Sequence, residues 1–302
     1  LDGIEHTFWS YFDASYPDFP GPNQYQDVIF NFYSLYDKTV SEFIRLAGED
    51  CVVIVMSDHG HGMRPTKVLN LNQKLVEWGL LVPRKSAVPL VRPQRFKETI
   101  KSQLSKIVNR FGLGNFALKI MHLFPFWKQF LSSPELIDSE RSQAYISDIS
   151  AVKAHSQGGI IVKPSNDYKE IRHFLLEKLR SLQHPETGEN LVTWAARRED
   201  LYQGKHLGKF PDVLFELLPE YGVGWALDGP FISDSYFHAI QPGGHKRYFP
   251  VFLVHGGSNL SWNEGDAIIM DLAPTILDLL CISSQVNYDG HSLLKENKDA
   301  SD

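Results

Sequence analysis

Cysteine is nearly missing from this 302-residue sequence. Two thiols, Cys51 and Cys281, cannot form a multi-bridge framework. Each stands in or beside an apolar run, which predicts a buried free thiol. An apolar run of membrane-spanning length is also missing, as is any internal repeat. Positive charge is not in excess: the net charge of -6 gives no nucleic-acid-binding signature for the chain as a whole. The sequence opens on Leu1 rather than Met, so the lack of a recognisable leader or anchor within it is uninformative if the natural N-terminus lies upstream. Localisation stays open, with a lean to the cytoplasm from the sparse cysteines.

What is present belongs to an ordinary globular domain, 43% hydrophobic and 22% charged. Residues 24–47 place Val28, Phe32, Leu35, Tyr36, Phe43 and Leu46 at helical spacing, and Gly48 supplies the stop. The β-branched run Cys51–Met56 follows, of the kind buried on both faces in a parallel sheet. Helix then buried strand is half of a βαβ unit. Further strands are expected at Gly159–Val162, Asp212–Leu217 and Val251–Val254. Helices are expected at 168–182 and 271–280, the latter with Pro274 in its first turn. These elements predict an α/β fold with a mainly parallel central sheet and helices on both faces.

Residues 84–131 depart from this pattern. Ten Lys or Arg face one acid, Glu98, a balance of +9 that leaves -15 for the rest of a chain at -6. Phe111, Phe116, Met121, Phe124, Phe126, Trp127 and Phe130 accompany them. The stretch reads as a pair of basic, apolar helices, a helical cap over 84–145. It divides an α/β core of residues 1–83 and 146–302.

Three short motifs carry chemistry. Ser57-Asp58-His59-Gly60 falls at the carboxyl end of the first strand, where open α/β sheets bind ligands. Its Asp and His offer an oxygen and an imidazole nitrogen to zinc or a similar ion. A turn with a capping Asp and an exposed His is the plainer alternative. Asp2 and His6 are four apart and share a face on a helix or turn, as they also would on any surface helix. Gly243-Gly244-His245, followed by Lys246, lets backbone approach closely before a strand; an ordinary hairpin with an exposed His is the alternative. Ser57 reads as a backbone-bonding residue and Thr7 as pointing away from His6, so neither is taken as a nucleophile. His61 and Lys246 are candidates for substrate contact, with a solvated loop histidine the slightly favoured reading of His61. His255 reads as structural, and His122, His155, His173, His184, His206, His238 and His291 have no ligand-like context.

DGIEH, VVIVMSDHGHG, the GGH loop and GDAIIMDLAPTILDLL, in that order, resemble the alkaline phosphatase superfamily. Within it they are most similar to type I phosphodiesterases and the predicted phosphohydrolase/phosphomutase group. LNLNQKLVEWGLL, GGIIVKP, HPETGENLV, REDLYQG and PDVLFEL extend the likeness to nearly all of the chain outside 84–145. The resemblance implies a metal-dependent phosphoric ester hydrolase acting on an anionic phosphate ester through two divalent ions, zinc first and manganese second. Asp2, His6 and His245 match the ligands of one ion, and Asp58 and His59 two ligands of the other. The family's nucleophilic Ser or Thr and a further Asp ligand have no counterpart, so an N-terminal segment bearing them is expected upstream of Leu1. His61 departs from the hydrophobic residue common in related motifs. A sulfatase-like or phosphomutase-like member is the alternative enzyme. A non-catalytic metal or membrane-surface module, docking through 84–131, is the alternative of another class.

Overall fold

The structure, a computed structural model, describes residues 2–84, 137–147, 155–227, 229–235, 237–257, 260–263 and 265–295. Their elements in chain order are α1 (Asp2–Phe12), α2 (Val28–Ala47), β1 (Val53–Met56), β2 (Gly60–Met63), β3 (Lys67–Asn70), α3 (Leu71–Glu77), β4 (Ala144–Ile146) and β5 (Gln157–Val162). After these come α4 (Tyr168–Arg180), β6 (Val192–Arg197), α5 (Arg198–Leu201), β7 (Val213–Leu217), β8 (Tyr221–Gly224) and β9 (Ile232–Asp234). The last are α6 (Phe237–Ile240), β10 (Gly243–Lys246), β11 (Phe252–His255) and α7 (Leu272–Leu279). Two compact units are formed, one from Asp2–Gln26 and Gly62–Gly244, the other from Asp27–His61 and His245–Asp302. No described helix is long and apolar enough to cross a membrane. Of the expected cap, all but Arg84 and residues 137–145 lies outside the described residues.

The first unit holds the main core. β4, β5, β7 and β6 form a four-stranded sheet in that order, antiparallel at every pairing. α4 turns Ile171, Leu175, Leu176 and Leu179 inward, the stripe a 3.6-residue period produces. Phe215, Leu175, Leu179, Ile160 and Val213 are fully enclosed or nearly so. Gly158 is required there, because a Cβ would lie 2.3 Å from the Phe215 ring. A three-stranded sheet runs β8-β3-β9, with β3 parallel to β8 and antiparallel to β9.

The mixed α/β class stands, but the mainly parallel central sheet does not appear among the described residues. An unbroken apolar strand reports burial on both faces and says nothing about its partner's direction. β7 illustrates the point. Val213, Phe215 and Leu217 are buried on one face, and on the other Glu216 is buried while accepting hydrogen bonds from Gln157 and Trp194.

In the second unit β1 pairs antiparallel with β11, from Val53 opposite His255 to Met56 opposite Phe252. Val53, Ile54 and Val55 are half-buried and Met56 is exposed, so the strand is less covered than its sequence implies. α2 starts at Val28 and ends at Gly48 (φ 80°), a backbone conformation suited to glycine. Its buried residue is Ile29, and Phe43 and Leu46 face solvent. α7 carries Pro274 in its first turn. Asp271 precedes it, its carboxylate accepting the amides of Ile268 and His291. Both cysteines are exposed, contrary to the buried thiols expected, since an apolar neighbourhood in sequence does not ensure cover in space.

Candidate metal centre

Asp2 and His6 sit in the first turns of α1, and the helical period brings them together. His6 Nε2 lies 3.3 Å from Asp2 Oδ1, with the imidazole largely buried and the carboxylate half-exposed. The other ring nitrogen, Nδ1, is 2.7 Å from the carbonyl of Gly243. A carbonyl only accepts, so Nδ1 donates to it, and Nε2 is the ring nitrogen turned toward Asp2. Ligating histidines are commonly held in this way, one nitrogen donating to a carbonyl and the other turned to the ion. Two ligands bound at about 2.0–2.1 Å to a tetrahedral ion lie roughly 3.3 Å apart, so the pair fits the edge of such a site.

Asp58, His59, His61, His245 and Lys246 belong to the second unit. His59 repeats the pattern of His6: Nδ1 donates to the Gly60 carbonyl at 3.0 Å, and Nε2 lies 3.6 Å from Asp58 Oδ1. The His59 and His245 rings stack, centroids 3.7 Å apart and planes 20° from parallel. His61 stands edge-on to His245 at 5.9 Å and 6.5 Å from His59. Three imidazoles are thus gathered in one place, with the exposed Asp58 carboxylate beside His59. Gly60 makes room, because a Cβ there would lie 1.8 Å from the Tyr248 carbonyl oxygen. Lys246 follows His245 in β10 and is half-buried.

The hydroxyls nearest these residues are engaged with backbone. Ser57 Oγ accepts the Val251 amide at 2.7 Å, and Thr7 Oγ1 donates to the Gly3 carbonyl at 2.8 Å. His255 is exposed on β11. The sequence reading gave no role to two polar residues that the structure encloses, Arg64 and His238. Arg64 is fully buried and donates to the carbonyls of Gln241 and Gly243. His238 is largely buried, with Nδ1 held by the Ser235 carbonyl and Nε2 3.9 Å from Asp18. Neither lies in a motif, and the one available signal was a charged or polar side chain between apolar neighbours.

Oxygen and imidazole donors of this kind suit a divalent metal ion. No family model matches the chain, and no curated protein matches it. Among solved structures it is similar to the murine ectonucleotide pyrophosphatase/phosphodiesterase 5, an inactive form in complex with AMP, at 13% identity and a TM-score of 0.43. The match covers 97% of this chain but 63% of that one, so the chain spans less than two thirds of its length.

Proposed function

We propose that this chain carries the metal-binding part of a phosphoric ester hydrolase of the alkaline phosphatase superfamily, in the range of the type I phosphodiesterases and phosphohydrolases. The observation that carries the proposal is the Asp2–His6 pair, 3.3 Å apart, with the proton of His6 held on Nδ1 by Gly243. Asp2, His6 and His245 are proposed as ligands of one divalent ion, Asp58 and His59 as ligands of a second. His61 and Lys246 are proposed to contact the substrate. Two such ions, when bound, supply positive charge against the attacking and leaving oxygens of an in-line displacement at phosphorus. The chain's own residues hold Nδ1 of His6 and His59 on backbone carbonyls and place a carboxylate oxygen beside each Nε2. The attacking hydroxyl is assigned to no residue of this chain, since Ser57 and Thr7 are tied to backbone. Residues 84–145 are proposed as a basic cap over a core of 1–83 and 146–302, attracting the anionic ester.

The test is a calorimetric titration of the chelator-stripped chain with Zn²⁺ and with Mn²⁺. Two sites of about 1 µM Kd or tighter are expected, one lost in His6→Ala and the other in His59→Ala. An unaltered isotherm in both variants would overturn the reading. The segregated +9 charge of 84–131 favours a second reading, a membrane-surface module. Binding to anionic vesicles that survives metal removal, with no metal-dependent turnover in a form extended upstream, would select it.

A further inference from the structure

Arg64 is fully buried, and three of its hydrogen bonds go to one short stretch of backbone. Its amide donates to the Pro242 carbonyl at 2.8 Å, Nε to the Gln241 carbonyl at 2.8 Å and Nη2 to the Gly243 carbonyl at 3.1 Å. Three consecutive carbonyls are therefore turned toward one residue. Burying a guanidinium is unfavourable unless its donors are satisfied, so a purely space-filling role would be served better by an apolar side chain. Burial pulls its pKa down to about 10, against the opposing influence of Tyr16 and Asp2. At neutral pH it is a cation.

The Gly243 oxygen has a second donor, His6 Nδ1 at 2.7 Å. A carbonyl has two lone pairs, and these two donors fill them. With Arg64 in place, the peptide is fixed with its oxygen toward the imidazole. Without it, that oxygen loses the donor that holds it toward the imidazole, and the proton of His6 is able to move to Nε2, where it blocks a metal.

We propose that Arg64 is a positioning residue for His6: by orienting the Gly243 carbonyl it sets the tautomer and ring direction that present Nε2 beside Asp2. The proposal rests on the reading of Asp2 and His6 as metal ligands. It assigns to the buried charge a specific task that neither motif nor spacing implies.

The test uses the whole chain with Arg64→Gln and Arg64→Lys. Long-range proton–nitrogen spectra of the metal-free protein report the His6 tautomer, assigned with His6→Gln. Calorimetry with Zn²⁺ reports affinity. In wild type the Nδ1–H form should dominate. In Arg64→Gln that preference should be lost, and zinc affinity at the Asp2 site should fall about 10- to 100-fold, the usual effect of removing a group that orients a ligand. Affinity at the Asp58 site should move less than about threefold. Arg64→Lys keeps the charge but not the fork, and should lose a smaller factor, at least about threefold. It serves as the decisive variant if Arg64→Gln does not fold. A folded variant with unchanged His6 tautomer and unchanged zinc affinity overturns the proposal. If wild type binds no zinc, the metal reading falls instead, and the tautomer measurement alone decides whether Arg64 governs His6.

Discussion

The hydroxyl of Tyr16 donates to the backbone carbonyl of His238 across 2.9 Å, with the two rings 6.1 Å apart. Both side chains are enclosed, and burial raises the Tyr16 pKa while lowering that of His238. The Ser235 carbonyl, Asp18 and Asp234 oppose the shift of His238 without cancelling it. A histidine whose pKa is depressed by folding takes up a proton more readily in the unfolded chain. Its penalty is absent above the unfolded pKa, near 6.5, and grows as pH falls below it. The denaturation midpoint should therefore drop as pH is lowered from 7 toward 5. His238→Gln should flatten that slope, as read by urea titrations at several pH values. An unchanged slope would remove His238 as the acid-sensitive group.

Asp2 and His6 are expected to act as one unit toward metal. Asp2→Asn should weaken Zn²⁺ binding at its site about tenfold or more, equivalent to at least roughly 1.4 kcal/mol. Asp2 is more than half exposed, so thermal stability without metal should hardly move. Calorimetry and a melting curve on the same sample check both halves of the prediction.

Turnover should be slow. On aryl phosphodiesters or monoesters, with either metal, the chain alone should stay below about 1 per second, the lower end of ordinary enzymes. Ser57→Ala and Thr7→Val should leave any residual rate unchanged, because both hydroxyls bond to backbone. A rate that collapses in either variant would identify a nucleophile that the geometry does not.

The main core should be intolerant of volume changes in both directions. Phe215→Ala is expected to cost about 3–5 kcal/mol, from lost burial plus the cavity it leaves. Gly158→Ala adds a Cβ 2.3 Å from the same ring and should cost about 1–3 kcal/mol through overpacking. Chemical denaturation measures both, and a stable Gly158→Ala would mean that the Phe215 ring can move aside.

Asp212 is a buried acceptor for three groups. Its carboxylate takes the Val162 amide at 2.8 Å, Arg198 Nη1 at 3.0 Å and the Tyr168 hydroxyl. Removing it leaves a mostly enclosed Arg198 with the more exposed Glu199, 3.4 Å from Nε, as its counter-charge. Asp212→Ala should destabilise the chain by about 3 kcal/mol or more, as breaking one side of a buried ion pair does. Loss below 1 kcal/mol would indicate that Arg198 finds solvent.

Local structure was legible wherever a period was present. α4, α7, β5, β7 and β11 fall where spacing and apolar runs put them, and Gly48 ends α2 as its residue type requires. The closeness of Asp2 and His6 follows from a separation of four on a helix. Strand direction was not legible. The run Cys51–Met56 looked like part of a parallel sheet, yet Val53–Met56 pairs antiparallel with Phe252–His255, about 200 residues away. An apolar pattern encodes which faces are covered, while the direction of the partner depends on the path of the chain between them. The same holds for the details of the candidate centre. Residue type nominated His6, but the carbonyl that fixes its tautomer belongs to Gly243, 237 positions later. The buried guanidinium that turns that carbonyl had no motif to announce it. Sequence by itself determined which residues are able to act as donors and which neighbours share a helical face, because both depend on chemistry and a short repeat. Tertiary structure alone decided which backbone groups meet them, because a hydrogen bond between distant segments leaves no period in either.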